Sequence, residues 1–159
     1  MDLKLIYALI LTIMPVTELR VGLPIAITYA IDKNIPIFLI FSIVVLLNIL
    51  VIFFIFYFLD NIHKIFMNIK IYRRIFHKFL EKFRKKVDKF EKKYESLGFL
   101  ALVLFVSIPL PGTGAWTGCL VSWLLGLNRK KSILAISLGV IIAGILVLLG
   151  TLGIINLFF

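Results

Sequence analysis

The chain has 159 residues, of which 62% are hydrophobic, and its mean hydropathy is +1.10. These values exclude an ordinary soluble domain and predict an all-helical integral membrane protein. The formal charge of +10 does not indicate a nucleic-acid partner, because residues 60–96 hold twelve Lys/Arg and five Asp/Glu, so one segment carries most of it. Cys119 is the only cysteine and no Cys/His cluster has metal-ligand spacing, so we expect no metal and no cofactor.

Residues 3–31 predict a re-entrant hairpin, which enters and leaves the membrane on the same face. Its two apolar pieces are each about 16–18 Å long as helices, roughly half of a ~30 Å hydrocarbon core. The segment MPVTELRVGLP, residues 14–24, joins the first piece to the second and extends into the second. It contains Pro15, Glu18, Arg20 and Pro24. The tip of this hairpin is therefore expected to carry an acid and a base inside the membrane.

Residues 36–59 form a continuous apolar stretch that predicts a full transmembrane helix. Asn48 falls near its centre, where an unpaired amide is costly. We expect Asn48 to face protein or a wet cavity at the depth of the hairpin tip. A structural hydrogen bond and a role in transport are both open for this residue.

Residues 60–97 predict a long basic amphipathic helix that ends at Gly98, because apolar residues recur every three or four positions. It is expected to lie in the cytoplasm on the bilayer, with anionic headgroups as partners, or to pair with a second helix in a homodimer. The cations expected to contact headgroups are Arg73, Arg74, Lys78, Lys82, Lys85 and Lys86.

Residues 98–126 predict a second re-entrant hairpin, since its apolar stretch is broken in the middle by Pro109, Pro111, Gly112 and Gly114. After a basic NRKK turn, residues 132–157 predict a second transmembrane helix. Small residues in that helix offer a surface for close helix packing, namely Gly139, Ala143 and Gly144.

The two halves, 1–59 and 98–159, repeat the order of broken hairpin, polar turn and full span. A shift of 94 superposes Pro15 on Pro109 and Asn34 on Asn128. Such a pattern is typical of inverted-repeat transporters. With re-entrant hairpins, both basic clusters lie in the cytoplasm and both termini lie outside, in agreement with the positive-inside tendency.

The two tips are expected to meet near the membrane midplane and to form one site for a small molecule or an ion. Thr17 and Thr113 are expected to cap the outgoing half-helices, whose free N–H groups would favour an anionic group on the substrate. Gly112 and Gly114 let the backbone approach a ligand closely, and Pro24 leaves the carbonyl of Arg20 as a free acceptor.

Glu18 is the residue expected to couple transport to protons, because ionisable groups inside a membrane are usually functional. Arg20 would bind an anionic substrate or neutralise Glu18 in the empty site. The alternative is a permanent Glu18–Arg20 ion pair that locks the tip. Trp116 and Trp123 are expected to be packing or interface residues, and no nucleophile with a base or phosphate loop indicates an enzyme.

The elements MPVTELRVGLP and SIPLPGTGAWTG resemble those of the small multidrug export protein family, and the resemblance covers nearly the whole chain. The two-hairpin layout is more remotely similar to the DedA and VTT families, which implies re-entrant hairpins and translocation of lipids or small molecules. Those families carry an arginine after the late Pro-Gly, whereas residues 112–116 contain none. Proton-coupled export is our leading hypothesis; a DedA-like lipid translocase or scramblase and a non-transporting membrane scaffold are the alternatives.

Overall fold

A computed structural model describes residues 3–66, 95–110 and 112–158 of the chain. This part contains six helices and no strand, which confirms the predicted all-helical class. In chain order the helices are α1 (Leu3–Ile13), α2 (Glu18–Asp32), α3 (Ile37–Phe66), α4 (Glu95–Ser107), α5 (Ala115–Leu124) and α6 (Arg129–Phe158).

Two of these helices are long and apolar enough to cross a membrane. Ile37–Asn61 of α3 and Arg129–Ile155 of α6 have mean hydropathies of 3.2 and 2.9, and at ~1.5 Å per residue each exceeds a ~30 Å hydrocarbon core. The helices α1 and α5 and the segment Gly98–Ser107 of α4 are apolar but shorter than a span. The described chain therefore has the composition of a membrane protein.

Three helix ends differ from the sequence prediction. α3 extends to Phe66, so residues 60–66 continue this helix and do not begin a separate one. α4 runs from Glu95 through Gly98, because a glycine inside a helix costs only about 1 kcal/mol and its neighbours are apolar helix formers. α6 begins at Arg129, where Asn128 Oδ1 accepts the N–H of Lys131 at 3.3 Å and caps the helix.

The rest of the predicted basic amphipathic helix lies outside the described residues. This holds for all six cations expected to contact headgroups, Arg73, Arg74, Lys78, Lys82, Lys85 and Lys86. Their surface role therefore stays a prediction.

Two pairs of helices pack closely at small residues. α1 lies against α2 and α4 lies against α6, while α2, α3, α5 and α6 meet in the centre. A Cβ on Gly22 would lie 2.6 Å from the carbonyl oxygen of Ala8, and one on Gly139 would lie 2.9 Å from that of Val103. Glycine thus permits backbone contact between neighbouring helices, as predicted for Gly139.

α2 and α5 end in the same motif. Asn34 and Gly126 have left-handed φ values of +54° and +63°. In both helices the N–H of the following residue donates a hydrogen bond to a carbonyl in the last helical turn. Ile35 donates to Ala30 at 2.8 Å, and Leu127 donates to Ser122 at 3.1 Å. This Schellman arrangement satisfies the final carbonyls and reverses the chain into the following long helix.

Ion pairs mark the opposite ends of α3. Near its beginning, Lys4 contacts Asp32 at 2.7 Å and joins α1 to α2. Near its other end, Asp60 accepts from Arg129 at 2.7 Å and from the indole N–H of Trp123 at 2.9 Å. The charged side chains of these two clusters lie at the ends of the bundle, as expected for membrane helices.

Candidate functional site

The turn between α1 and α2 places Glu18 in an unusual backbone conformation. Its N–H donates to the carbonyl of Met14 at 3.1 Å, which closes one helical turn. Its φ is +48°, in the left-handed region that residues other than glycine rarely adopt. Such conformations cluster at functional sites, and here the residue is also almost fully buried, with 3% of its surface exposed.

The Glu18 carboxylate caps α5, which belongs to the other half of the chain. It accepts the N–H of Ala115 at 3.2 Å and that of Trp116 at 3.1 Å. These N–H groups have no partner within their own helix, and a negative charge is stabilised beside them. Gly114 at the preceding position leaves room for the carboxylate, since a Cβ there would overlap it and force it to move.

Arg20 binds the turn between α4 and α5. Its guanidinium donates to the Thr113 carbonyl, to Thr113 Oγ1 at 2.9 Å and to the Ile108 carbonyl at 3.3 Å. Its contact with Glu18 is longer, 3.8 Å between Nη1 and Oε2. Arg20 therefore forms its hydrogen bonds with the second turn, and the two charged residues attach the first turn to the second through separate contacts.

The end of α1 is capped by side chains from other elements. The carbonyl of Thr12 accepts from Asn48 Nδ2 at 2.9 Å, and the carbonyl of Ile13 accepts from the indole N–H of Trp116 at 3.0 Å. Asn48 is completely buried, and its Oδ1 atom has no hydrogen-bond partner among the described residues. We name Glu18, Arg20, Asn48, Thr113 and Trp116 the tip junction.

Several of the predicted site residues thus lie together. Glu18 contacts the N-terminus of α5, Arg20 contacts Thr113, and Asn48 lies at the end of α1. The chain does not place every tip residue in the junction: Pro15 and Pro109 are exposed turn residues, Pro24 lies inside α2, and Gly112, with φ +87°, is exposed. Pro111 lies outside the described residues.

The predicted roles of two threonines are wrong. Thr17 already has helical dihedral angles, and its hydroxyl donates backward to the carbonyl of Leu11 at 2.6 Å, so it does not cap α2. Gly114 is the N-cap of α5, and the Thr113 hydroxyl lies 2.6 Å from the Ile108 carbonyl. The first N–H groups of α5 are consequently taken by Glu18 and are not free for an anionic substrate.

Trp116 is the junction residue that sequence reasoning missed. Its backbone N–H binds Glu18 and its indole N–H binds the end of α1, so one residue contacts both sides of the first turn. A tryptophan next to a glycine-rich turn has no sequence signal for this role, because its partners lie about a hundred residues earlier. Trp123 likewise donates to Asp60 and is more than a packing residue.

A model of the family described as "Putative small multi-drug export protein" matches residues 18–146. The chain belongs to this family. The matched range begins at Glu18 and contains the whole tip junction, which confirms the resemblance to the small multi-drug export proteins. The comparisons with curated proteins and with solved structures gave no match. The remote similarity to the DedA and VTT families stays a prediction.

Membership of the small multi-drug export family indicates a transport role rather than an enzymatic one. The tip junction consists of groups that form hydrogen bonds and ion pairs. It offers one carboxylate, one guanidinium and backbone groups. Among the described residues, no three His, Cys, Asp or Glu side chains lie together in a way that could hold a metal ion.

Proposed function

We propose that this protein exports a small molecule or ion in exchange for protons, and that Glu18 carries the proton. The observation that supports this most strongly is a nearly buried carboxylate that joins two separate segments of the chain. A carboxylate at this depth is expensive, and a charge retained there usually belongs to a transport pathway. Proton-driven export is also consistent with the family.

Protonation of Glu18 gives the site two states. The carboxylate is held by two N–H groups of α5 and by the charge of Arg20. A neutral carboxylic acid accepts weaker hydrogen bonds and has no net attraction to the helix terminus or the guanidinium. Proton uptake therefore loosens the contact between the first turn and α5, and proton release restores it.

We further propose that the short helices form two re-entrant hairpins of an inverted repeat, α1–α2 and α4–α5. The shared helix ends support this, because a shift of 92 superposes Asn34 on Gly126 and also the first residues of α3 and α6. This shift replaces the value of 94 inferred from the sequence. Tips that enter from opposite faces would meet at the midplane, where such sites occur.

The proposed orientation in the cell membrane follows from charge. The end that carries Arg129, Lys130 and Lys131 faces the cytoplasm, together with the basic segment that follows α3. Both termini then lie outside. The basic segment would contact anionic lipid headgroups of the bilayer, and a homodimer through this segment is a further proposal.

Transport of ethidium into proteoliposomes, driven by an imposed pH gradient, tests the proposed function. We expect the wild type to move ethidium and Glu18→Gln to lose the dependence on the gradient. Asp32→Asn, which neutralises an exposed carboxylate at the end of α2, is the matched control and should retain it. An unchanged gradient dependence in Glu18→Gln would contradict the proposal.

Two other results would assign a different role. Flipping of labelled lipid without a pH requirement would identify a lipid translocase or scramblase. Absence of both fluxes, with loss of a partner protein on neutralising Lys82 to Lys93, would identify a membrane scaffold.

A further inference from the structure

We propose that Trp123 and Asp60 are positioning residues for Glu18. They hold α5 at its far end, and α5 holds the N–H groups that bind the Glu18 carboxylate. This inference rests on the proposed role of Glu18 as the proton carrier, because it names what regulates that group. The regulating contact lies at the exposed end of the bundle, away from the tip junction.

The end of α5 is bonded to the two long helices. The indole N–H of Trp123 donates to Asp60 Oδ1 at 2.9 Å, and the same oxygen accepts from Arg129 at 2.7 Å. The Arg129 guanidinium also lies over the ring of Phe56, 4.1 Å from its centroid. Asp60 and Phe56 belong to α3, and Arg129 begins α6. The acceptor that holds Trp123 is therefore held by both long helices.

The beginning of α5 is bonded to the first turn. The N–H groups of Ala115 and Trp116 donate to Glu18 at 3.2 and 3.1 Å, and the indole N–H of Trp116 donates to the carbonyl of Ile13 at 3.0 Å. Between its two ends α5 is a helix of ten residues without proline, about 15 Å long. Backbone hydrogen bonds keep such a helix stiff, so a displacement at Trp123 moves the N–H groups at Glu18.

The buried face of α5 consists of small side chains, namely Ala115, Gly118, Cys119 and Ser122. The buried faces of its neighbours α3 and α6 carry larger ones, such as Ile52 and Ile136. Small side chains interlock little with a neighbouring helix, so they resist movement of α5 along its axis less than large side chains would. The hydrogen bonds at its two ends therefore fix its position.

The turns on either side of α5 add little restraint. Gly112 precedes the helix and Gly126 follows it, with left-handed φ values of +87° and +63°. Both are exposed, and no described atom beyond their chain neighbours lies within 4 Å of either Cβ position. Turns without packing contacts follow a moving helix and do not hold it in place.

Release of α5 favours the proton on Glu18. Hydrogen bonds from N–H groups stabilise the ionised carboxylate, so their loss makes the neutral acid easier to form. The direct effect of removing the Asp60 charge has the opposite sign, because loss of a nearby negative charge stabilises ionised Glu18. Among the described residues, Arg20 and Cys119 are ionisable groups that interact with Glu18, and Arg129 interacts with Asp60.

A pH titration of the Glu18 carboxyl group tests the positioning role. Its band in the infrared spectrum is the carboxyl band that Glu18→Gln removes. We expect the midpoint to rise by roughly 0.3–1 pH unit in Trp123→Phe, which keeps every charge, and in Asp60→Ala. Asp60→Asn keeps an oxygen acceptor for Trp123 and should shift the midpoint less. A fall in both Asp60 variants, with no change in Trp123→Phe, would show a direct charge effect and overturn the inference.

Two matched variants control for the loss of a carboxylate and of an aromatic donor. Asp32→Ala removes an exposed carboxylate from its pair with Lys4 at the other end of the bundle. Tyr57→Phe removes one O–H from an exposed residue of α3, three residues before Asp60. Both should keep the wild-type midpoint. A rise in these controls equal to that of Trp123→Phe would also overturn the inference.

Amide hydrogen exchange of α5 in detergent tests the same role without titration of Glu18. We expect the N–H groups of Ala115 and Trp116 to exchange roughly 3–10-fold faster in Trp123→Phe than in the wild type. These groups lie about two helical turns from the substituted residue. A purely local role of Trp123 would accelerate exchange only in the last turn of α5, and that result would overturn the inference.

The exchange measurement also separates this inference from the proposed function. Faster exchange at Ala115 and Trp116 without any flux driven by a pH gradient would support the positioning role and contradict the transport role. Gradient-driven ethidium flux in the wild type, with exchange changed only beside Trp123, would support transport and overturn the positioning role.

Discussion

Glu18 is held at the junction by a backbone turn, a helix terminus and a neighbouring glycine. The left-handed turn starts α2, the two N–H groups of α5 hold the carboxylate, and Gly114 leaves room for it. Loss of any one of these three features is not compensated by the other two. Small changes beside Glu18 should therefore disturb the junction even when the carboxylate itself is kept.

Gly114→Ala should displace the Glu18 carboxylate, because the new Cβ would occupy the same space. We expect overpacking and lost hydrogen bonds to destabilise the protein by roughly 1–3 kcal/mol, measured as a lower Tm in detergent. Gly150→Ala on α6 is the matched control, since no described atom beyond its chain neighbours and its own helix backbone lies within 4 Å of its Cβ position. Equal midpoints for the two variants would show that Gly114 does not hold the carboxylate in place.

Asn48→Leu separates the structural role of Asn48 from a role in transport. It removes the bond to Thr12 together with the unsatisfied Oδ1, so we expect the stability to change by less than about 2 kcal/mol. Flux of ethidium driven by a pH gradient should nevertheless be lost if Asn48 contacts the ligand. Ser42→Ala, at an exposed position of α3, should keep both properties. If stability and flux fell together, the structural hydrogen bond alone would explain the effect of the variant, and no role of Asn48 in transport would follow.

At the scale of elements, α5 connects two charged clusters. Trp116 at its beginning contacts the end of α1, and Trp123 near its end contacts Asp60, which also binds Arg129. The helix is about 15 Å long. Because both ends of one short helix are bonded, movement of α5 would change the junction and the Asp60 cluster together.

Trp116→Phe should lower the Tm more than Trp123→Phe. Each change removes one indole N–H and keeps an aromatic ring. Both bonds are exposed on the surface of the protein, but at the proposed depth of the junction the surroundings of the bond to Ile13 are lipid, whereas water can replace the bond to Asp60 at the end of the bundle. We expect a loss of roughly 0.5–1.5 kcal/mol for Trp116→Phe. A larger loss of Tm in Trp123→Phe would contradict this prediction, because the bond to Asp60 would then stabilise the protein more than the bond to Ile13.

The existence of the described helices was predictable, but their caps were not. Hydropathy and the prolines separate the short helices from the long ones, because membrane thickness fixes the length of a span. Local rules then assigned the caps to Thr17 and Thr113. The cap of α5 comes from Glu18, 97 residues before Ala115. Such a contact depends on tertiary structure, which no local pattern contains.

At the scale of the whole molecule, the sequence indicated which polar residues matter and misjudged the state of one helix N-terminus. Charged residues and broken helices in an apolar chain mark a candidate functional position on energetic grounds, and Glu18, Arg20 and Asn48 were selected in this way. The expectation of an anionic substrate assumed empty helix N-termini. The protein's own carboxylate fills one of them, and only the folded chain shows this.

The inverted topology predicts opposite exposure of the two polar turns. In a Cys119→Ser background, a cysteine at Lys33 should react with a membrane-impermeant maleimide from outside, because Lys33 follows the outer end of α2. A cysteine at Asn128 should react only after the membrane is opened. Cys119 is buried and therefore shielded from the reagent, and its replacement removes any remaining reaction at that position. Reaction of both positions from the same side would contradict re-entrant hairpins.

The central claim is that the proton on Glu18 controls the junction, and the fluorescence of Trp116 tests it most directly. Trp123→Phe leaves Trp116 as the single tryptophan, bonded to Glu18 and to the end of α1. Its emission should shift with pH in one transition. Addition of Glu18→Gln should abolish the transition and fix the emission at its acidic value, whereas addition of Asp32→Asn should preserve it. The same pH profile with and without Glu18 would contradict the account.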